Sequence, residues 1–168
     1  TSTGPTSMWT CRSNPFAFPL HSRCWRARNR NRVLRIDSSR SLRRLLNLWP
    51  PFLFAGIRVM EVGEDWRSAR VRLRMHAWNR NAVGSHFGGS LFAMCDPFWM
   101  LLTRNAVGRD YYVWDQAGSI EFVKPGRGTV HAQFDLDDAT LQELRDATAG
   151  GQKMLRWLIT SMSAFSHR

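Results

Sequence analysis

In SLRRLLNLWPP, residues 41–51, the apolar side chains Leu42, Leu45, Leu46 and Trp49 recur at i, i+3, i+4 and i+7, the spacing of an amphipathic helix. Ser39 or Ser41 is placed to cap its start and Pro50-Pro51 to stop it. About two to three turns is a short element, suited to packing on a domain rather than to lying on a membrane. Further on, the period shortens to that of strands. Ile57 and Val59 flank Arg58, and Val71, Leu73 and Met75 alternate with Arg70, Arg72 and Arg74, so each strand has one wet face. GEDW, residues 63–66, is the turn of an antiparallel hairpin between them. The same alternation returns in Ile120 and Phe122, then in Val130, Ala132, Phe134 and Leu136, around a Pro125-Gly126 pair suited to a type II turn. A second hairpin is predicted there. Between the hairpins, about Gly88 to Arg104 is apolar around most of its circumference and reads as an enclosed central helix. Ala139 to Thr148 reads as another helix, started by Asp137 or Asp138 and ended by Gly150-Gly151. The order predicts an α+β fold whose antiparallel sheet wraps around the central helix.

The two ends lack this order. Residues 1–40 show no sustained period and are rich in Pro, Ser, Arg and Asn, so they read as a basic disordered leader before a domain at 41–151. After Gly151, Leu155, Leu158, Ile159, Met162 and Phe165 fall at helical spacing, making 152–168 an atypical tail with a helix from Lys153 to Ser163. A helix there leaves the sheet incomplete at its C-terminal side.

Charge follows the same division. The net charge is +11, yet residues 1–48 carry ten arginines and one acid, Asp37, while residues 49–168 carry fourteen basic and twelve acidic side chains. The folded part is nearly balanced, which speaks against a nucleic-acid partner. A leader rich in Arg and Ser is also the composition of an organelle import signal, but a cytoplasmic protein is the main expectation. No apolar run reaches the roughly 18 to 20 residues of a membrane span. Cys11, Cys24 and Cys95 are odd in number and scattered, so neither a disulfide framework nor a zinc-ribbon spacing is read from them, and a reducing compartment fits best. Cys11, His21 and Cys24 supply too few ligands for zinc, so no metal and no cofactor is expected. Cys95, without a base at suitable spacing, reads as a small core residue.

Candidate chemistry lies in NRNAVGSHFGGSLFAMCDPF, residues 79–98. Asp96 interrupts an apolar run, where a charge costs several kcal/mol unless it is paired, hydrated or used. It could cap Pro97 or meet an arginine; it could also act as a base or nucleophile. Gly88 and Gly89, at a helix start, would offer backbone N–H donors to a developing oxyanion, and glycine allows close approach. The Asn81 amide could position water or a carbonyl. His86 reads as a polar loop residue, and Trp78, Phe98, Trp99 and Trp114 as core or as the lining of an acyl tunnel. Seven residues of helix rise roughly 10 Å, so Asp96 cannot reach a carbonyl held at the Gly89 amide of its own helix. Two copies related by a two-fold axis would supply the missing acid, which predicts a homodimer or a dimer of dimers.

The run Asn81, Gly84, Gly88, Gly89 and Asp96 resembles the signature of hotdog-fold acyl-CoA thioesterases of the phenylacetate-pathway type. The stretch from LNLWPPF to DYYVWDQAGSIEFVKPGRGTV, about residues 45–150, is similar to a domain-of-unknown-function branch of that superfamily. In the family a histidine directly precedes the glycine pair; here Phe87 holds that place and the histidine is His86. The resemblance implies a hotdog fold, lacking here its closing strands, and hydrolysis of an acyl-CoA or acyl-carrier thioester at a dimer interface. It implies catalytic roles for Asp96, Asn81, Gly88 and Gly89, and substrate contacts from His86, Phe87, Gly84 and Trp99. A non-catalytic acyl-binding or dimerisation module with the same fold is the alternative.

Overall fold

A computed structural model describes residues 9–19, 38–108, 111–149, 154–155 and 158–165. The fold is α+β with an antiparallel sheet, as the periodicity predicts. Helix α1 (Ser39–Leu48) starts at Ser38, whose side chain accepts from the Ser41 N–H at 3.2 Å. Leu42 and Leu46 are buried, whereas Leu45 and Trp49 are exposed. Pro50-Pro51 ends α1 and also begins α2 (Pro50–Ala55), because a first helical turn does not use the missing proline N–H. The hairpin of β2 (Ile57–Val62) and β3 (Ser68–Leu73) forms as expected, with Ala69, Val71 and Leu73 buried. A 3-10 turn at Ala77–Asn79 leads into the glycine-rich loop.

The central helix is not continuous. It divides into α3 (Gly88–Ala93) and α4 (Phe98–Val107), with Met94 to Pro97 between them. Pro97 has no N–H to continue the ladder, and the bonds Cys95 N–H to Phe92 O and Phe98 N–H to Cys95 O tighten to i−3 around it. Phe98 and Trp99 anchor α4 in the core, stacked and edge-on respectively against Phe134 at 4.9 and 5.5 Å. The last helix, α5 (Asp138–Thr148), is capped by Asp137 accepting from the Thr140 N–H at 2.6 Å.

Pairing of the later strands departs from the sequence reading. β4 (Tyr111–Phe122) and β5 (Thr129–Asp135) do not form a hairpin; with β1 (Trp9–Pro19) and β7 (Leu158–Phe165) the sheet order is β2-β3-β5-β7-β1-β4. The intervening strands come from both ends of the chain. β1 lies in the segment read as a disordered leader and pairs with β4 on one side and with β7 on the other. Its Pro15, in register with Asp115, sits where the pairing shifts past Gln116 of β4, and a bulge is one of the few places at which a sheet accepts a proline. The tail is likewise strand, not helix: β6 (Met154–Leu155) pairs with β1 and β7 pairs with β5. Leu158, Thr160 and Met162 are buried on one face of β7, so period 2 holds once Thr160 is counted as inward. A strand follows β5 after all, and the sheet edge expected to lie open beside β5 is occupied by β7.

Candidate functional site

Residues 79–87 form a loop whose polar groups satisfy one another. The buried Asn79 amide donates to Ala55 O at 2.9 Å and Arg74 O at 2.7 Å, and accepts from the His76 N–H at 2.7 Å, tying α2 and the end of β3 to the loop. Asn81 serves the interior of the loop. Its Nδ2 donates to Ser85 Oγ and His86 O, and its Oδ1 accepts from the Val83 and Ser85 N–H groups. Both donors and the carbonyl oxygen are therefore engaged, which makes Asn81 a positioning residue rather than one that handles water or substrate directly. Gly84 closes the turn at φ +74° with open space where a side chain would be; an L-residue there is strained, so the backbone itself calls for glycine.

His86 ends the loop. Only 2% exposed, it places Nε2 2.8 Å from Gly128 O, while its own N–H donates to Gly126 O at 2.9 Å. Nε2 faces an acceptor and so carries the proton; Nδ1 is buried with no partner. Burial pushes the imidazole below its ordinary pKa, so it is neutral. His86 thus pins the loop to the crossing segment between β4 and β5, and does not take the role of the family histidine at an open site.

What the loop presents is the start of α3. No hydrogen bond among the described residues uses the N–H of Gly88 or Gly89. A Cβ at Gly89 would stand 2.3 Å from the Phe87 ring, and one at Gly88 3.0 Å from the Phe122 ring. A larger residue at Gly89 would have to displace the Phe87 ring, and one at Gly88 would press on Phe122. Phe87 and Phe122 are themselves 57% and 52% exposed, so the donors lie beside an apolar surface open to solvent. Phe122 was expected inside the sheet; its place at the end of β4, next to α3, is a long-range fact that strand period cannot supply.

Asp96 stands in the break between α3 and α4. Its side chain reaches solvent, and among the described residues its carboxylate neither caps a helix nor meets an arginine. Surrounding protein nonetheless strips enough water to raise its pKa above the ordinary value. Beside it, Cys95 is buried with Sγ 3.3 Å from Met162 Sδ, and its hydrogen bond to Cys11, then burial, push its thiol well up. That is an inert core thiol. Trp99 is in the core, its indole N–H without a partner, and does not line an open surface. His21 and Cys24 lie outside the described residues; among those described, no group of His, Cys, Asp or Glu could hold a metal.

A family model, the domain of unknown function DUF4442, matches residues 39–163. The chain belongs to this family. Its fold is shared by the crystal structure of a Pseudomonas aeruginosa protein of unknown function, described as a probable thioesterase, at a TM-score of 0.52 and 18% identity over 71% of this DUF4442 chain and 91% of that one. No curated protein matches the chain. No helix among the described residues is long and apolar enough to cross a membrane.

Proposed function

We propose that this DUF4442 chain is a hotdog-fold thioester hydrolase that cleaves an acyl-CoA or acyl-carrier substrate at a site shared by two copies. The carrying observation is that one short segment holds two sets of unengaged groups, the Gly88 and Gly89 N–H donors and, seven residues on, the partnerless Asp96 carboxylate. The probable thioesterase of the same fold supports the reading. In it, the thioester carbonyl oxygen points at the glycine N–H groups and the acyl chain lies against Phe87 and Phe122. A water molecule stands between the carbonyl carbon and Asp96 of the second copy. As the water oxygen attacks, Asp96 takes its proton and the glycine donors hold the oxyanion. The C–S bond then breaks and Asp96 returns the proton to the departing thiolate, leaving a carboxylic acid and a free thiol. A carboxylate with a raised pKa is a stronger base for this than a fully solvated one.

In this reading the acid comes from the second copy: Asp96 lies beyond the end of α3, past Ala93, and helical rise alone places it roughly 5 to 10 Å along the segment from its own glycine pair. The outer side of β4, which ends at Phe122 beside Gly88, is the face through which the two copies would pair. Cys11 and Cys95, both free and buried, fit a reducing compartment such as the cytoplasm.

Thiol release from a panel of acyl-CoAs is the test. Asp96→Ala is expected to lose at least about two orders of magnitude in rate; equal measurable rates would sink the assignment of Asp96, and a parent that binds acyl-CoA without releasing thiol would leave an acyl-binding module. Mixing Asp96→Ala with Asn81→Ala chains should restore activity, since each mixed dimer keeps one intact site. Mixed dimers without activity would place the acid and the donors in the same copy.

A further inference from the structure

The face formed by α1, α2 and β2 has no part in the proposed chemistry, and its composition is unusual for an exposed surface. Leu48, Trp49, Leu53 and Phe54 are 74%, 45%, 53% and 72% exposed at the corner where α1 meets α2. Trp78, 70% exposed, leans on the same corner with its indole N–H bonded to Phe54 O at 3.0 Å. Large apolar side chains in a continuous stretch of surface mark something they dock against. Immediately beside them, Arg43, Arg44 and Arg58 line a groove of about 380 Å³ that also includes Leu48 and Met60. From Ser39 to Met60 the chain has four arginines and no acid. Arg40 pairs with Glu64, but Arg44 and Arg58 have no carboxylate partner among the described residues.

We infer that this corner docks the protein onto the surface of an anionic lipid bilayer, the apolar side chains entering the interface and the three arginines binding lipid phosphates. Two features select this occupant. A second copy related by a two-fold axis would set Arg43, Arg44 and Arg58 against their own copies, because the acids at the margin of the face, Glu61 and Glu64, are already paired with Arg70 and Arg40; self-association there is opposed. Tryptophan and phenylalanine mixed with leucine and flanked by arginines suit the headgroup boundary, where the rings sit at the polar–apolar divide and the guanidiniums reach the phosphates. Such docking needs no spanning segment, and it revises the expectation that the short α1 only packs on the domain, because α2 and Trp78 extend the exposed apolar corner beyond α1. It is independent of the thioesterase reading, because none of these residues belongs to the glycine loop or the Asp96 turn.

The experiment is co-sedimentation of the full chain with phosphatidylcholine vesicles prepared with and without phosphatidylserine, for the parent and two double variants, Leu48→Ser/Phe54→Ser and Arg44→Glu/Arg58→Glu. All four positions are exposed, and unchanged thermal melting confirms that the variants fold; the single changes Leu48→Ser and Arg58→Glu serve where a double variant does not. The parent should bind the phosphatidylserine vesicles in preference, and each double variant should lose roughly tenfold or more in partitioning. Undiminished binding by both variants would assign adsorption to the arginines of residues 1–37, which every variant retains, and overturn the proposal. Parent protein that ignores the vesicles would overturn it too. So would a parent dimer that Leu48→Ser/Phe54→Ser converts to monomer in sedimentation velocity, or equal binding of the parent and the apolar variant to soluble polyglutamate.

Discussion

At one edge of the sheet β2 runs for six residues beneath α1, and at the other β4 runs for twelve with no strand among the described residues on its outer side. The short edge is blocked by a side chain acting in place of a strand. Asn47 accepts from the Val59 N–H at 2.8 Å and donates to Val59 O at 3.0 Å, and Arg43 donates to Met60 O at 3.1 Å. An unblocked strand edge is a template for another chain. The fold thus closes the β2 edge and leaves open the β4 edge, which ends at Phe122 beside Gly88, and that is the asymmetry a shared site needs.

The change expected to act most strongly on this contrast is removal of residues 1–19. Among the described residues β4 pairs only with β1, over eleven register positions, so deletion detaches the open edge from the sheet. With net domain stability of only about 5 to 15 kcal/mol, loss of cooperative thermal unfolding is expected; a sharp melt by circular dichroism in the truncated chain would show that β4 is held otherwise. Next, a lysine on each edge should act unequally. Trp114→Lys on β4 is expected to weaken dimerisation roughly tenfold or more by sedimentation, while Met60→Lys on β2 leaves it unchanged; equal effects would end the asymmetry.

Smaller, and confined to the blocked edge, is Asn47→Ala. It leaves the Val59 N–H and C=O without partners and should cost about 1 to 3 kcal/mol in denaturant unfolding, with aggregation rising as β2 becomes available. The least effect is expected from pH. The folded-state pKa of His86 and of His131 lies below the ordinary 6.5 because burial disfavours the charged form. Above about pH 6.5 both are neutral folded or unfolded and contribute nothing. Below it the unfolded chain binds more protons, so stability should fall as pH drops from there toward the lowered pKa values. His86→Gln should flatten part of that slope in melts taken across the range; an unchanged slope would leave His131 as its source.

How much of this was legible in the sequence depends on how local the cause was. The Asp137 cap on α5 and the β2–β3 hairpin rest on contacts between near neighbours, and both formed where the pattern put them. β1 was hidden because prolines and an arginine read as loop unless one knows that Pro15 falls at a bulge. In β7 a threonine, Thr160, takes an inward place, so the apolar residues alone fitted helical spacing. The Pro125-Gly126 bend foretold a change of direction, not the partner beyond it. At the site, the spacing of Gly88, Gly89 and Asp96 could be read directly, but only burial and hydrogen bonding separate Asn79, the node beneath the loop, from Asn81 within it. The loss of one backbone donor at Pro97 was visible; that it would divide the helix depended on the packing of Phe98 and Trp99.

The position of β1 also sets a timetable for the growing chain. Trp9 pairs with both Phe122 and Met162, so it leaves the ribosome long before either of its neighbours. At roughly 5 to 20 residues per second that wait is on the order of ten seconds. Throughout it the nascent segment meets no finished sheet of its own, while β4 on an older chain nearby already offers a matching ladder. Crowded polysomes therefore favour strand exchange between neighbouring chains, and translation speed becomes part of what decides whether each molecule closes upon itself.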